Sequence, residues 1–234
     1  MIPAKIDVSK SLIIGIDCSG ESFSVAVVKD GQCLSERGGF SPRSHLRRLF
    51  PAIKGCLEDV GANFKGVAAV AVTNGPGSFT GLRLGVVTAR TIAQACGCAL
   101  VGVNTLEALA AGHVGHKCLL AGLDARRGEI FAAFFDTSKG EIRRLCEDKA
   151  YTPEELLQKT KELQCRVAVG SGPWHYADKL RSGNGDLIIG GAWEAQVSGA
   201  LTAILGERLY LTGHRKSMTE LAPFYLRSAE VQVS

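Results

Sequence analysis

Val67-Ala-Ala-Val-Ala-Val-Thr73 runs into Asn74-Gly75-Pro76-Gly77-Ser78-Phe79-Thr80-Gly81 and then into Leu82-Arg83-Leu84-Gly85-Val86-Val87-Thr88-Ala89-Arg90. The first seven residues are short, apolar and valine-rich, the composition of a buried strand. From Leu82 the apolar and small residues recur at helical spacing (Leu82, Val86, Ala89, Ala93), which predicts a helix. Between these two runs lie three glycines and a proline. Glycine lets the backbone turn sharply and lets another group approach it closely. A strand, a glycine turn and a helix start leave backbone N–H groups at the positive end of a dipole, where an anion can sit. No Gly-Lys-Ser/Thr follows, and the Gly75-x-Gly77-x-x-x-Gly81 spacing misses the dinucleotide fingerprint by one residue. The residues alone fit an anion cradle and a tight loop packing a helix onto a sheet equally well.

Ahead of this stretch, Leu12 to Asp17 predicts a strand, Cys18-Ser19-Gly20 a polar turn, and Ser22 to Val28 a second strand. Asp30-Gly31 is a hairpin signal, after which Gln32 to Arg37 returns as a third strand. Ser44 to Gly61 reads as a helix, with Ser44 as N-cap and Leu46, Leu49, Phe50, Ile53, Leu57 and Val60 on one stripe. Pro51 within it predicts a kink or a late start. Behind the stretch come a strand over Cys98 to Val103 and a short helix capped by Asn104 or Thr105 and ending at Ala111.

The pattern then restarts. Gly15-Ile16-Asp17 has its echo in Gly122-Leu123-Asp124, each closing an apolar run and each followed by an apolar strand ending in Asp: Phe23 to Asp30, and Ile130 to Asp136. Each strand turns through glycine (Gly31, Gly140) towards another strand, a repeat with an offset of about 107 residues. A helix starts at Thr152, with Pro153 at its first position and Glu155 completing a capping box. A strand over Arg166 to Gly170, a helix over Ala192 to Leu209 and an extended Pro223 to Arg227 finish the chain. Two α/β halves, 1–113 and 114–234, are therefore expected to face each other. This duplicated unit of three strands followed by alternating helices and strands resembles the actin and sugar-kinase superfamily. There, an Asp-bearing turn in each half faces a nucleotide phosphate, and Asp17 and Asp124 hold the matching places.

The 234 residues allow one large domain or two smaller ones. Hydrophobic residues make up 46% and charged residues 21%, the balance of a globular protein, and no apolar run is long enough for a membrane helix. The run Leu12 to Ile16 is too short for a signal peptide, so a cytoplasmic location is expected. The eight cysteines lack any Cys-x-x-Cys pair and read as buried free thiols. A net charge of +4 is too mild to announce nucleic-acid binding, and Arg43, Arg47, Arg48, Arg126, Arg127, Arg143 and Arg144 read as solvated faces. His113 and His116 form a close pair without a third ligand nearby in sequence. Ser78 has no identifiable triad partner, and Arg83 reads as an anion contact or an ion-pair partner.

The string Gly75-Pro76-Gly77-Ser78-Phe79-Thr80-Gly81-Leu82-Arg83-Leu84-Gly85 resembles the signature of the TsaB family, non-catalytic subunits of the bacterial machinery that makes threonylcarbamoyladenosine in tRNA. The resemblance extends to Ile16-Asp17, Ser44 to Pro51, Asn104 to Leu109, Leu123 to Glu129 and Pro223 to Arg227. It is thin between Glu141 and Gly213, and the residues before Ser11 have no counterpart. It implies a partner subunit that pairs with the catalytic paralogue TsaD and with the ATPase subunit TsaE. Together these transfer threonylcarbamoyl from its AMP adduct to the adenosine beside the anticodon of certain tRNAs. TsaD carries a metal-binding His-x-x-x-His where this chain has Thr105 and Leu109, whose side chains cannot replace imidazoles, so no metal centre is expected. Asp17, Ser19, Gly75, Gly77, Ser78, Thr80, Gly81, Arg83 and Asp124 form the nucleotide or anion loop that the resemblance suggests. No cofactor is expected to bind tightly, ATP or ADP no better than roughly millimolar. In the family, helices at the places of Ser44 to Gly61 and Leu82 to Cys96 form a bundle with the paralogue. Leu46, Leu49, Phe50, Ile53, Leu57, Gly85, Ala89 and Ala93 are the expected interface, which also predicts a homodimer of the isolated chain. Contact with tRNA is expected through the complex, and none with a membrane. Two other readings stay open: an independent small-molecule kinase or ATPase of the same superfamily, and a glycoprotease-like peptidase.

Overall fold

The computed structural model describes residues 11–40 and 45–226. Met1 to Lys10, Arg43, Ser44 with its expected cap, the side chain of Leu46, and Arg227 lie outside that description. Strands β1 (Leu12–Asp17), β2 (Ser22–Lys29) and β3 (Gln32–Phe40) form an antiparallel meander. Asp30 and Gly31 make the hairpin with φ of 51° and 73°, the left-handed pair that a two-residue turn requires. Strands β4 (Val67–Gly75) and β5 (Ala99–Asn104) add in parallel beyond β1, giving the order β3-β2-β1-β4-β5. The valine and alanine of β4 are buried on both faces, which is where an uninterrupted apolar strand belongs.

The second sheet repeats the plan. Strands β6 (Leu119–Arg126) and β7 (Glu129–Asp136) are antiparallel, and β10 (Val167–Val169) and β11 (Ile188–Ile189) continue in parallel beyond β6. Its third strand is broken into β8 (Arg143–Arg144) and β9 (Lys149–Tyr151), which pair with opposite ends of β7. Between them Asp148 turns inward to accept from Asn104 Nδ2 at 2.6 Å and to pair with Arg144.

Helices complete a five-layer stack. Helices α1 (His45–Asp59) and α2 (Phe79–Cys96) cover the outer face of the first sheet. Helices α4 (Pro153–Glu162) and α6 (Ala177–Gly183) cover that of the second. Between the sheets, α3 (Thr105–Ala111) and α7 (Gly199–Leu211) share one core with the inner faces of both. These two central helices are exchanged between the halves: α7 packs on β1, β2 and β4, and α3 packs on β6. Small residues permit the approach of α7, with Gly199 against the backbone of Ser24 and Val25, Ala203 over Gly15, and Gly206 over Ala71. This is the duplicated two-lobed α/β arrangement of the actin-like fold.

Several boundaries differ from the sequence reading. Helix α1 starts at His45 and continues through Pro51. Helix α2 starts at Phe79, not Leu82, because Ser78 Oγ accepts from Gly81 N–H at 3.3 Å and caps it. The expected helix over 192–209 is two elements: a 3-10 turn at 192–195 and then α7, with Ser198 Oγ accepting from Ala200 and Leu201 N–H. The short α5 (Ser171–His175) and α6 were not foreseen. The capping box at Thr152 and Glu155 forms as expected.

The wide apolar stripe of α1 is core. Leu49, Ile53 and Leu57 are at most 1% exposed and pack with Ala89 and Ala93 of α2 in the layer beneath both helices. Gly85 is buried against Val72 and Cys18. The physical reason is that α1 faces β2, β3 and α2 at once, so it buries more than a single-sided stripe. Those six residues are thus not a partner surface, whereas Phe50 is 52% exposed and stacks on Phe64 with ring centroids 6.0 Å apart. Among the described residues, no helix is long and apolar enough to cross a membrane.

Candidate functional site

A cleft of about 880 Å³ opens where the two halves meet. Two equivalent turns border it, β1 to β2 and β6 to β7, as the sequence repeat requires. In the first turn Asp17 is buried, and its Oδ1 accepts from Ser19 N–H at 3.2 Å, Ser19 Oγ at 2.7 Å and Thr73 Oγ1 at 2.7 Å. In the second, Asp124 Oδ1 accepts from Arg126 N–H at 2.8 Å, and the Asp124 N–H donates to Ser171 Oγ at 3.1 Å. Both carboxylates are therefore used to shape their own turns. Arg126 and Arg127 have φ of 61° and 55°, a conformation uncommon outside glycine. It delivers the Arg126 guanidinium across the cleft to the carboxylate of Glu21, in the opposite turn.

The glycine loop belongs to the same construction. A side-chain carbon on Gly77 would lie 2.6 Å from the Ser19 carbonyl oxygen; one on Gly81 would overlap that of Cys18, and one on Gly75 that of Phe224. Gly75 and Gly77 also hold φ of 133° and 154°, which side chains rarely adopt. Ser78 N–H donates to Ser19 O at 2.7 Å, tying the loop to the first turn. The three glycines thus allow close backbone packing around the loop. Ser78 and Thr80 line the cleft as exposed hydroxyls. The Arg83 guanidinium lies 3.7 Å from the Phe79 ring centroid, and its Nε donates to Tyr225 OH at 3.1 Å. The thiol of Cys18, behind the loop, is pushed up by burial and then by the Asp17 charge, which keeps it protonated and unreactive.

The other sequence candidates do not assemble. His113 Nδ1 meets Leu109 O at 3.1 Å and its Nε2 faces Glu194 at 3.5 Å, while the backbone N–H of His116 donates to Thr137. Among the described residues no three His, Cys, Asp or Glu side chains are grouped to hold a metal. Thr105 and Leu109 sit in the central core at 0% and 2% exposure, and the Thr105 hydroxyl finds no hydrogen-bond partner among the described residues. Arg143 pairs with Asp136 and Arg144 with Glu107, so these arginines answer carboxylates of the chain itself. Sequence reasoning missed Glu21, Trp174, His175 and Phe40 along the cleft. Only the tryptophan carried a signal, as one of two in the chain. Among the described residues no lysine lines the cleft, which offers hydroxyls, ring surfaces and the paired charges of Glu21 and Arg126.

Three comparisons bear on this arrangement. The family model described as TsaD, tRNA N6-adenosine threonylcarbamoyltransferase, matches residues 24–231. The tRNA threonylcarbamoyladenosine biosynthesis protein TsaB of Escherichia coli is 29% identical over 92% of this chain and 94% of its own length. A tRNA N6-adenosine threonylcarbamoyltransferase of Sphingopyxis alaskensis is 34% identical, but over 42% of this chain and 33% of the enzyme. Among solved structures, YeaZ from Pseudomonas aeruginosa superimposes with a TM-score of 0.75 at 22% identity, over 92% of this chain and 100% of that one, a likeness of fold.

Proposed function

Since the chain belongs to the TsaD family and, within it, to the TsaB members, we propose that it is a non-catalytic partner subunit of a TsaD-containing complex that modifies adenosine in tRNA. The observation that carries this reading is the contrast in coverage. The chain matches a TsaB protein along nearly its whole length and a transferase along only a third of that enzyme. The chemistry agrees with it, because Thr105 and Leu109 are core residues that cannot ligate a metal. In this reading TsaE completes the assembly, tRNA is met through the complex, and the chain works in the cytoplasm. ATP or ADP binds the cleft no more tightly than roughly millimolar, a weakness supported by the internal hydrogen bonds of Asp17 and Asp124.

The partner surface in this reading is the outward side of α1 and α2, with Phe50 and Val87 (59% exposed) as apolar anchors among Arg47, Lys54 and Thr91. The same side would join two copies of the isolated chain. Burying one such side chain is worth about 1.5–3 kcal/mol, or a tenfold or larger change in affinity. Phe50→Asp and Val87→Asp should each weaken capture of a TsaD-type transferase about tenfold or more while the melting temperature hardly moves. Ile53→Asp should unfold the protein instead. Normal capture by both surface variants would overturn this placement of the interface, and failure of the unmodified chain to capture the transferase would overturn the function.

A further inference from the structure

The outer core of the second half holds three thiols that the cleft does not use. Cys118 immediately precedes β6, and Cys165 lies just before β10. Leu119 pairs with Val167 in the parallel register, so the two cysteines enter neighbouring strands side by side. The Cys165 thiol donates to Cys118 O at 3.5 Å and to Val167 O at 3.3 Å, which sets its sulfur against the Cys118 backbone. Cys165 is buried, whereas Cys118 is partly exposed and forms the rim of the pair. Cys146, also partly exposed, packs in the same layer. Neighbouring strands run about 4.8 Å apart, which suits the Cα separation of about 4.4–6.8 Å that a disulfide spans.

We propose that Cys118 and Cys165 are an oxidisable thiol pair that hydrogen peroxide closes into a reversible disulfide between β6 and β10. Access divides the labour: Cys118 is the sulfur that solvent reaches, and Cys165 is buried behind it with its thiol donating to two carbonyl oxygens. Cys118 gives its proton to solvent, its sulfur attacks one peroxide oxygen and the O–O bond breaks. The departing hydroxide takes the Cys165 proton and leaves as water, with Cys118 now a sulfenic acid. The Cys165 thiolate then attacks the Cys118 sulfur; the S–O bond breaks, and the second hydroxide takes a proton from solvent. Each sulfur has been oxidised by one electron, and the peroxide has been reduced to two waters. The new bond would staple the start of β6, whose far end carries Asp124, to the start of β10, which leads to Ser171 at the cleft.

The full chain should be treated with hydrogen peroxide, its remaining thiols alkylated, and its disulfides mapped by peptide mass spectrometry. The expected first product is a Cys118–Cys165 link that dithiothreitol reverses, formed ahead of oxidation at the more exposed Cys33. Cys165→Ser should leave Cys118 as a sulfenic acid that dimedone traps, and Cys146→Ser should still form the link. A first product that joins Cys146, Cys96 or Cys98, or a Cys165 that stays reduced in the unmodified chain, overturns the proposal. The unmodified chain decides the matter by itself should Cys165→Ser fail to fold.

Discussion

At the scale of single residues, the signature loop is a device for bringing backbones together, and two glycines of one helix make that measurable. Gly81 and Gly85 lie one turn apart on α2. A methyl group on Gly81 would overlap the Cys18 carbonyl, which cannot move without shifting β1, whereas on Gly85 it would meet Val72 Cγ2 at 3.4 Å, an ordinary contact. Gly81→Ala should therefore destabilise by about 1–3 kcal/mol through overpacking. Gly85→Ala should be neutral, or stabilise by up to about 1 kcal/mol, because alanine favours the helix. Chemical denaturation of the two variants checks the pair; equal effects would mean that the loop is not held by this contact. The sequence showed that the glycines sit between a strand and a helix, which is local information. It could not show that their neighbours are Ser19, Cys18 and Phe224, because a missing side chain leaves no trace of what fills its space. The same limit applies to Asp17, whose place at a strand end was readable but whose partner Thr73 lies on another strand.

At the scale of elements, α7 is fastened to the first half by a charged staple. Glu207 is buried, and its two carboxylate oxygens accept from Asp30 N–H at 2.9 Å and Gly31 N–H at 2.7 Å, at the tip of the β2–β3 hairpin. Glu207→Ala would leave two turn donors without this acceptor and should cost about 2–4 kcal/mol, with Glu207→Gln recovering part. Thermal unfolding of the two variants tests this, and an unchanged midpoint in both would remove the staple from the account. Elements with local signals were legible beforehand. The Asp30-Gly31 turn, the Asn104 cap and the Thr152 capping box each announce themselves within four residues, and the structure forms all three. The break before α7 was not legible, since Val197 continues the apolar pattern across it. The apolar stripe of α1 was seen but assigned to a partner, because stripe width reports how much a helix buries and not against whom.

At the scale of the whole molecule, the exchange of α3 and α7 makes each half depend on the other. The inner face of the first sheet is covered by a helix from the far end of the chain. A chain ending at Lys117 should therefore be insoluble or lack a cooperative unfolding transition, although it holds every strand of the first sheet. Co-expression with a segment carrying α7 should rescue it; a soluble, cooperatively melting fragment would contradict this dependence. The same exchange bears on how the protein is made. The first sheet is complete once Asn104 has left the ribosome, yet its cover begins only at Gly199. At synthesis rates of about 5–20 residues per second the nascent sheet waits about 5–20 s with an apolar face bare. That interval is the window in which a chaperone would engage it, and in which a stalled or truncated nascent chain would aggregate.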